Sequence, residues 1–393
     1  MTEAVIVDAI RTPIGKRKGK LAGWHPTDLL AHVLNGLVER NGIDPALVDD
    51  VIGGCVTQSG EQSTNVTRNA WVAAGLPHSV PATSVDRQCG SSQQAVHFAA
   101  QGVMAGAYDL VIACGVESMS RAPMASNARG GTGPFSQQFL AACDGQLKMQ
   151  FEVAQKIAND FGITRAEMDQ FALESHRRAS EAAKSGAFDR EILPIHLRDE
   201  EGNLTDELMT ADEGIRHDAS LEKMASLASA HFQPELAPDI TAGNSSQMND
   251  AAAGMLIASR ETAEKLGLRP RAAFRHFAVG GDDAVWVLTA PNPVTRKLFA
   301  KTGLSVDDLD AIEVNEAFAS IAMAWEREFK PESAKLNPRG GAIAIGHPLG
   351  ASGVRLMTTM LHYLEDTGGR LGLQTMCEGG GQANVTVIER LGD

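Results

Sequence analysis

The clearest candidate for covalent chemistry is Cys89, in the stretch Val85-Asp86-Arg87-Gln88-Cys89-Gly90-Ser91-Ser92. An extended-looking segment, residues 79–85, precedes it, and residues 93–104 follow with apolar side chains at helical spacing. Cys89 is therefore predicted to lie where a strand turns into a helix. Because the free N–H groups and the dipole of a first helical turn favour negative charge, we expect an enlarged thiolate fraction. A buried structural cysteine is the alternative interpretation of this stretch alone.

Three further stretches, all in the second half of the chain, carry residue types that could assist a thiol. Asn315 lies in an Asn-Glu-Ala-Phe-Ala segment, His347 lies between a glycine and a proline, and Cys377 lies just before three glycines. A lone histidine is more often structural, but one at a helix start that mirrors a candidate nucleophile is a candidate base. The glycine run can present several N–H groups to an oxyanion. A tight turn is its alternative, and both can hold.

An internal repeat explains how these residues can meet. The turns at Gly42 and Gly303 match and lie 261 positions apart, and the same offset carries the Cys89 segment onto residues 350–353, again a small-residue helix start. It also carries the strand at residues 109–112 onto residues 370–373, again a strand. We therefore predict a duplicated α/β unit in which the helix N-termini of both copies can face one cleft.

The predicted organisation has three parts. Residues 1–118 with residues 250–270 form an N-terminal half, residues 119–249 form an inserted loop domain, and residues 271–393 form a C-terminal half. Continuous apolar strands suit a sheet that is covered on both faces, so the predicted fold class is α/β. In the insertion, Thr164 and Glu167 predict a capping box for a helix that ends near Ser185. A small-residue helix is expected over residues 250–259.

Composition narrows the possible partners and location. The 393 residues include 43% hydrophobic residues and 39 glycines, which is typical of a compact α/β protein. A net charge of −14 argues against nucleic acid, so an anionic ligand must meet a local basic patch. The basic loop at residues 15–20 could meet phosphates, with a solvated charge run as its alternative. The five cysteines predict reduced thiols in the cytoplasm without a metal site, and we expect no signal peptide or membrane-spanning segment.

The four motif stretches resemble the thiolase family, acyl-CoA:acetyl-CoA C-acyltransferases, and the resemblance covers nearly the whole chain. It rests on the segments around Cys89 and Asn315, on Gly-Gly-Ala-Ile-Ala-Ile-Gly-His-Pro-Leu-Gly-Ala-Ser-Gly around His347, and on Cys-Glu-Gly-Gly-Gly at Cys377. The resemblance implies a duplicated αβαβα layered fold with an inserted loop subdomain. It also implies acyl-CoA and coenzyme A as substrates, no separate cofactor, and a homodimer or homotetramer.

The resemblance further implies a role for each catalytic candidate. Cys89 is the nucleophile that becomes acylated, His347 accepts its proton, and Cys377 is the second proton donor and acceptor. One oxyanion hole resembles His347 with a water held by Asn315. The other resembles the backbone N–H groups of Cys89 and Gly379.

Coenzyme A binding is implied for two more residues. Ser246 matches the family serine near the pantetheine, and Arg216 lies where a basic residue meets the nucleotide. A surface salt bridge is the alternative for Arg216. The remaining cysteines, Cys55, Cys114 and Cys143, match no family role and are interpreted as packing residues.

Three departures from the family pattern bear on the acyl chain. Gln382 follows the glycine run where Met-Gly is common, Gln247 follows Ser246 where glycine is usual, and residues 148–151 lack the His-Met pair of acetoacetyl-CoA-type enzymes. We therefore expect a degradative thiolase that cleaves a longer or bulkier 3-oxoacyl-CoA, such as one from sterol or other ring catabolism. The alternatives are a biosynthetic acetyl-CoA acetyltransferase and a non-catalytic acyl-CoA-binding relative.

Two other enzyme classes share part of the pattern. A condensing enzyme like the ketoacyl-carrier-protein synthases shares the duplicated fold but has no second cysteine, so Cys377 argues against it. A cysteine hydrolase would leave both Cys377 and the coenzyme A residues unexplained.

Overall fold

The computed structural model describes residues 2–199 and 201–392. Its strands, in chain order, are β1 (Ala4–Arg11), β2 (Gly15–Lys16), β3 (Asp50–Gly54), β4 (Ala82–Val85), β5 (Leu110–Ser118), β6 (Ile195–Arg198), β7 (Leu204–Met209), β8 (Asn249–Ser259), β9 (Ala272–Gly281), β10 (Ala311–Val314), β11 (Leu371–Glu378) and β12 (Gln382–Arg390).

The α-helices, in chain order, are α1 (Pro26–Asn41), α2 (Val66–Ala73), α3 (Ser91–Met104), α4 (Gln137–Ala142), α5 (Gln150–Asp160), α6 (Arg165–Lys184), α7 (Leu221–Ala225), α8 (Arg260–Lys265), α9 (Pro291–Thr302), α10 (Ala319–Phe329) and α11 (Ser352–Thr367). None of the helices described by the structure is both long enough and apolar enough to span a membrane.

Most of the strands belong to one sheet with the order β10-β11-β12-β9-β1-β8-β5-β3-β4, and β2 pairs with β8. The contact between β1 and β9 is short, because only Val5 with Ala273 and Ile6 with Ala272 are paired. This short contact, which we call the seam, joins two half-sheets. The first contains β1, β3, β4, β5 and β8, and the second contains β9 to β12.

Two central helices, α3 and α11, lie between the half-sheets. Val96 and Val103 of α3 share one apolar cluster with Met357 and Leu361 of α11 and with strands of both half-sheets. The outer face of the first half-sheet packs on α1 and α2, and the outer face of the second packs on α9 and α10. The architecture is therefore layered as αβαβα, because each half-sheet buries both of its faces against helices.

The repeat predicted from the sequence is present in the fold. Helix α3 begins at Ser91 and α11 begins at Ser352, 261 positions later. Strand β5 begins at Leu110 and β11 at Leu371, again 261 positions apart. The two copies therefore place a parallel strand and the start of a buried helix at equivalent points, which confirms the duplicated α/β architecture.

The helix expected over residues 250–259 is wrong. Residues 249–259 form β8, which pairs antiparallel with β1 on one side and β5 on the other. Every residue of this strand is buried. A run of small apolar residues that is buried on both faces lacks the alternation of a half-exposed strand, so its periodicity cannot separate a strand from a buried helix. The neighbouring strand edges decide the outcome.

Helices α4 to α7 and the two-stranded sheet of β6 and β7 lie within residues 119–249. Helix α6 is capped by Thr164, whose side chain and that of Glu167 form the predicted capping box. Gly186 follows the helix with a φ of +74°, a left-handed conformation that favours glycine. These observations confirm the predicted α6, whereas the division of the chain into three parts stays a prediction.

Candidate active site

Cys89 lies in the turn between β4 and α3, as the sequence predicts. Gln88 has a φ of +48°, in the left-handed region. The Ser91 hydroxyl donates to the Gln88 carbonyl oxygen (2.6 Å) and accepts from the Arg87 N–H (3.0 Å). These two bonds fold the chain back at the helix start, so the Cys89 side chain is held in the interior with 7% of its surface exposed.

The electrostatic surroundings of Cys89 differ from the sequence expectation. Burial raises the pKa of its thiol to about 12, and the carboxyl group of Glu378 adds to the shift. The backbone N–H groups of Cys89 and Gly379 interact with the sulfur and oppose the shift without overcoming it. The predicted enlargement of the thiolate fraction is therefore wrong, because loss of hydration outweighs the helix start. The resting group is a thiol.

Cys377 reaches the same place from the C-terminal half. It lies near the end of β11, opposite Ala383 of β12, and is 1% exposed. Burial raises the pKa of its thiol well above the ordinary value, and the nearby Cys89 and Glu378 add to the rise. The segments that carry the two thiols are in contact, because a Cβ on Gly379 would lie 2.9 Å from Gln88 Oε1 and a Cβ on Gly90 would lie 2.0 Å from Glu378 Oε1. The structure therefore brings together the two cysteines that the sequence singled out.

The three glycines after Cys377 form the tight turn between β11 and β12. Gly380 has a φ of +81° and Gly381 a φ of +73°, conformations that side-chain-bearing residues rarely adopt. The Gly379 and Cys89 N–H groups lie close enough to the Cys89 sulfur to act against the rise in its pKa. The tight-turn interpretation of the glycine run is therefore confirmed, and its oxyanion role stays a prediction. The run makes the turn, and it supplies a donor beside the atom at which an acyl group would be attached.

His347 is held in a buried loop ahead of α11. Its backbone N–H donates to Asn249 Oδ1 (2.9 Å). In the ring, Nδ1 lies 2.7 Å from the Ser352 hydroxyl, and Nε2 lies 3.4 Å from Asn315 Nδ2. Burial, reinforced by the charge of Arg355, lowers the pKa of His347 to about 3. The imidazole is therefore neutral at physiological pH and has a lone pair available to accept a proton.

Asn315 links the histidine to the second cysteine. It follows the last residue of β10, and its N–H donates to the carbonyl oxygen of Thr375 on β11 (3.1 Å). Thr375 lies two positions before Cys377, so the parallel pairing of β10 with β11 places Asn315 at the same end of the sheet. The Asn315 side chain is fully buried, and its Oδ1 accepts no hydrogen bond from the residues that the structure describes.

The histidine loop also meets the first cysteine. Leu349 and Leu356, which follow His347, share a small apolar cluster with Cys89. The structure thus gathers Cys89, His347, Cys377, Asn315 and Gly379 around one buried point where the two central helices begin. The groups at this point are two thiols, a neutral imidazole and several N–H donors, which together can form and break a thioester and move a proton.

Ser246 contacts the segment that follows Asn315, and Arg216 lines a cavity. The Ser246 N–H donates to the carbonyl oxygen of Ala317 (2.9 Å), two positions after Asn315. Arg216 lines a cavity of about 430 Å³ together with Lys16 and Gln247. Arg216 forms no ion pair with any described residue, so the salt bridge considered as an alternative is not found there.

Gln247, one of the departures from the family pattern, is a structural link. Its side-chain amide donates to the carbonyl oxygens of Gly214 and Ile343 (3.0 Å each). The backbone carbonyl oxygen of Gln247 accepts the backbone N–H of His347 (3.3 Å). Gln247 therefore ties the cavity around Arg216 to the loop that carries His347.

Sequence reasoning missed two buried carboxyl groups that border the site. Glu117 on β5 accepts hydrogen bonds from the N–H groups of Val56, Thr57 and Gly350 (3.0, 3.0 and 2.9 Å). Glu378 on β11 lies against Gly90, where an added Cβ would come within 2.0 Å of its Oε1. The available signal was the 261-residue repeat itself, because it places Glu117 and Glu378 at equivalent positions.

Comparison with protein families decides the assignment. The family model described as the thiolase N-terminal domain matches residues 4–261, and the one described as the thiolase C-terminal domain matches residues 268–390. The chain belongs to the thiolase family. As a thiolase it is an acyltransferase, in agreement with the resemblance drawn from its motifs.

Similar thiolases extend over the whole chain. The steroid 3-ketoacyl-CoA thiolase FadA6 of Mycobacterium tuberculosis is 49% identical over 399 aligned residues, which cover 100% of this chain and 95% of the relative. The beta-ketoadipyl-CoA thiolase of Pseudomonas aeruginosa is 42% identical and covers 99% of each chain. Among solved structures, the acetyl-CoA acetyltransferase of Bacillus anthracis matches with a TM-score of 0.89 at 34% identity, covering 100% of this chain and 99% of that one. This match confirms the predicted fold class.

Proposed function

We propose that this thiolase cleaves a 3-oxoacyl-CoA with coenzyme A, giving acetyl-CoA and an acyl-CoA shortened by two carbons. The observation that carries the proposal is the pair of buried thiols, Cys89 and Cys377, that share one site with a neutral imidazole and with N–H donors. Cleavage of a carbon–carbon bond next to a thioester needs all of these groups. One thiol takes the acyl group, and the other supplies a proton to the departing carbanion.

In the first half-reaction, the Cys89 sulfur attacks the 3-oxo carbon while its proton passes to His347 Nε2. The oxygen of the tetrahedral adduct becomes negative beside the N–H groups of Cys89 and Gly379, which already lie close to the sulfur. The bond between C2 and C3 then breaks, and its electron pair forms the enolate of acetyl-CoA. Cys377 gives its proton to that carbanion, so acetyl-CoA leaves and an acyl thioester remains on Cys89.

In the second half-reaction, coenzyme A replaces acetyl-CoA. The Cys377 thiolate takes the proton of the incoming thiol, whose sulfur attacks the acyl carbon. The bond to Cys89 breaks, and its sulfur recovers the proton held by His347. Each group returns to its starting state, so no further reactant is needed. His347 would donate to the enolate oxygen of the acetyl unit, and Asn315, whose Nδ2 lies 3.4 Å from His347 Nε2, would hold a water there.

The protonation states of the resting site support a coupled proton transfer. The pKa of Cys89 is raised to about 12, and that of His347 is lowered to about 3. A preformed thiolate–imidazolium pair is therefore disfavoured in the empty site. Proton transfer to His347 must accompany attack on the substrate, because the developing adduct then shares the negative charge with the N–H donors.

The nucleotide end of coenzyme A would lie toward Arg216. Support comes from Arg216, which lines a cavity of about 430 Å³ and forms no ion pair with a described residue, whereas Lys16 in the same lining pairs with Glu213. Ser246 would lie beside the pantetheine, between this cavity and the Asn315 segment. Lys16 belongs to the basic loop predicted from the sequence. No separate cofactor enters this scheme, because coenzyme A is itself a substrate.

The acyl group is proposed to be longer or bulkier than acetoacetyl. Two relatives are named as thiolases of a steroid 3-ketoacyl-CoA and of beta-ketoadipyl-CoA, which supports a degradative role. The departures at Gln247, at residues 148–151 and at Gln382 point the same way. We further propose a homodimer or homotetramer located in the cytoplasm.

Two measurements test the proposal. Mass spectrometry after mixing with acetyl-CoA should find one acetyl group, on Cys89. Unmodified protein would instead indicate an acyl-CoA-binding protein, and release of free acid would indicate a hydrolase. Thiolysis should then be measured over 3-oxoacyl-CoA substrates from acetoacetyl-CoA to ring-bearing acyl chains. A maximum at acetoacetyl-CoA would overturn the proposed substrate class and favour the acetyl-CoA acetyltransferase activity named for the Bacillus anthracis structure.

A further inference from the structure

We infer that Ser352 is a positioning residue that fixes the tautomer of His347, so that Nε2 is the nitrogen that accepts the Cys89 proton. The inference rests on the proposed function, in which His347 is the base. Ser352 is the first residue of α11, and its side chain is fully buried. Because water does not reach the hydroxyl, its hydrogen-bond partners are those that the protein supplies.

The two contacts of the Ser352 hydroxyl determine which of its neighbours carries a proton. Its Oγ lies 2.7 Å from the Pro348 carbonyl oxygen and 2.7 Å from His347 Nδ1. A carbonyl oxygen can only accept, and a hydroxyl has a single hydrogen to donate. The hydrogen therefore goes to Pro348. The oxygen lone pair is then left to accept from His347, which requires that Nδ1 carries the N–H.

The other face of the ring agrees with this assignment. A neutral imidazole has one N–H, so Nε2 has a free lone pair when Nδ1 is protonated. Nε2 lies 3.4 Å from Asn315 Nδ2, which can only donate. The backbone of His347 is meanwhile fixed by Asn249. The ring is thus held by a hydroxyl behind it and an amide in front, and its basic nitrogen faces the site.

The same arrangement occurs elsewhere in this chain with an unambiguous donor. The Thr295 hydroxyl donates to the carbonyl oxygen of Pro291 (2.8 Å), four positions earlier, as Ser352 does to Pro348. It also accepts from Trp325 Nε1 (3.0 Å). An indole N–H can only donate. At Thr295, a helical hydroxyl that bonds back to a proline carbonyl thus accepts a ring N–H, which is the role inferred for Ser352.

The repeat shows that the contact with an imidazole belongs to one copy. Ser91 lies 261 positions before Ser352, at the equivalent first residue of α3. Among the described residues, its hydroxyl bonds to backbone groups alone, those of Gln88 and Arg87. A serine at the helix start thus shapes the nucleophile turn in the first copy and orients the base in the second.

The tautomer can be measured directly on the wild-type protein without substrate. Selective ¹⁵N labelling of histidine, with H347Q used to assign the signal, should show His347 protonated at Nδ1 and unprotonated at Nε2. Finding the proton on Nε2 would overturn the inference. This readout does not depend on turnover, so it stands apart from the proposed function, which fails instead if acetyl-CoA leaves Cys89 unmodified.

Three variants then test the consequence for the reaction. S352A should lower kcat for thiolysis about 10- to 100-fold, by analogy with the loss seen when a partner that orients a metal-bound histidine is removed, with a change in KM of less than about twofold. S352T, which keeps the hydroxyl, should recover most of the rate. T358A removes another buried hydroxyl of α11, which in the described part of the chain bonds to Val354 O alone, and should leave kcat within about twofold. Wild-type kcat in folded S352A would overturn the inference.

Discussion

Glu117 and Glu378 occupy equivalent positions in the two copies of the fold and are both fully buried, yet their surroundings differ. The Glu117 carboxylate accepts three backbone N–H groups and the Gln62 side-chain amide, and one of those N–H groups belongs to Gly350 at the start of α11. The Glu378 carboxyl group lies at the start of α3, against Gly90. Each glutamate therefore reaches the start of the central helix that belongs to the other copy.

Only one of the two carboxyl groups is satisfied. Neither oxygen of Glu378 accepts a hydrogen bond of normal geometry from the described residues. Burial raises the pKa of Glu378 to about 8, opposed by the Arg87 charge and the Asn384 N–H. A duplicated position has thus become a structural clamp in one copy and a poorly solvated acid beside the reactive thiol in the other. The two copies therefore share the same helices and strands, but their equivalent side chains differ in hydrogen bonding and in reactivity.

The largest expected effect is a loss of thiolysis when either of the two thiols near Glu378 is replaced. C89S should lower thiolysis by about 10⁴-fold or more and should abolish acetylation, because the nucleophile is lost. C377S should also stop turnover, but Cys89 should still be acetylated by acetyl-CoA. Peptide mass spectrometry distinguishes the two variants. Acetyl transfer to Cys377 in C89S would mean that the two cysteines are interchangeable, which would contradict the different roles proposed for them.

The second prediction tests the hydrogen bonds that the Glu117 carboxylate accepts. E117A leaves three backbone N–H groups and the Gln62 amide without their acceptor, so we expect a loss of about 3–5 kcal/mol in the free energy of unfolding. E117Q keeps one acceptor oxygen and should lose less. Urea unfolding of both variants and the wild type measures the difference. A loss below about 0.5 kcal/mol for E117A would show that the hydrogen bonds to Glu117 do not hold the helix starts together.

The third prediction concerns the contact between the two helix starts. A Cβ on Gly353 of α11 would meet the backbone nitrogen of Gln93 on α3 at 2.2 Å. Because that atom cannot move without the helix, G353A should lower the free energy of unfolding by about 1–3 kcal/mol, although alanine favours helix formation.

Gly368, at the other end of α11, offers a matched control for this variant. It has a φ of +74° and open space around it, so G368A should cost only about 1 kcal/mol. Equal losses in the two variants would argue against close packing at the helix starts.

The smallest expected effect concerns the charge of Glu378. At pH 9 this carboxyl group is mostly ionised and raises the pKa of Cys89. Iodoacetamide should therefore alkylate Cys89 about tenfold faster in E378Q than in the wild type, which corresponds to a decrease of about one unit in the pKa of Cys89. At pH 6, where Glu378 is protonated, the two rates should converge. E264Q, an exposed change on α8, serves as the control. A rate ratio that does not vary with pH would contradict the prediction.

The same variant has a stability signature with a defined sign. The folded-state pKa of Glu378 is raised to about 8, above the ordinary value of 4.5. The folded protein therefore binds the proton more tightly than the unfolded chain, and this group weakens the fold as pH rises from about 4.5 to 8. The stability of E378Q relative to the wild type should increase across that window. A constant difference between pH 5 and pH 8 would count against a buried, ionising Glu378.

Much of this arrangement could be predicted from the sequence. The offset between Gly42 and Gly303 located the starts of α3 and α11, and the residues flanking Cys89 and Cys377 located the site. Local patterns suffice there, because helix starts and glycine turns depend on residues near them in the chain. The capping box at Thr164 was predictable for the same reason.

The remainder depends on contacts between distant parts of the chain. The segment over residues 249–259 became a strand because β1 and β5 offered two unpaired edges. The direction of the Cys89 pKa shift was mispredicted because burial is set by residues such as Leu349 and Leu356, more than 250 positions away. The roles of Glu117 and Ser352 likewise depend on which donors the fold brings to them, which no local pattern records.

The placement of α3 and α11 has a consequence for biosynthesis. The apolar face of α3 is covered by α11, which begins 261 residues later in the chain. At a translation rate of about 5–20 residues per second, α11 leaves the ribosome roughly 13–52 s after α3. During that interval α1 and α2 are available to cover the outer face of the first half-sheet. Helix α11, which covers α3, has not yet been synthesised. Chaperones that recognise exposed aliphatic surface would therefore meet this chain at mid-synthesis.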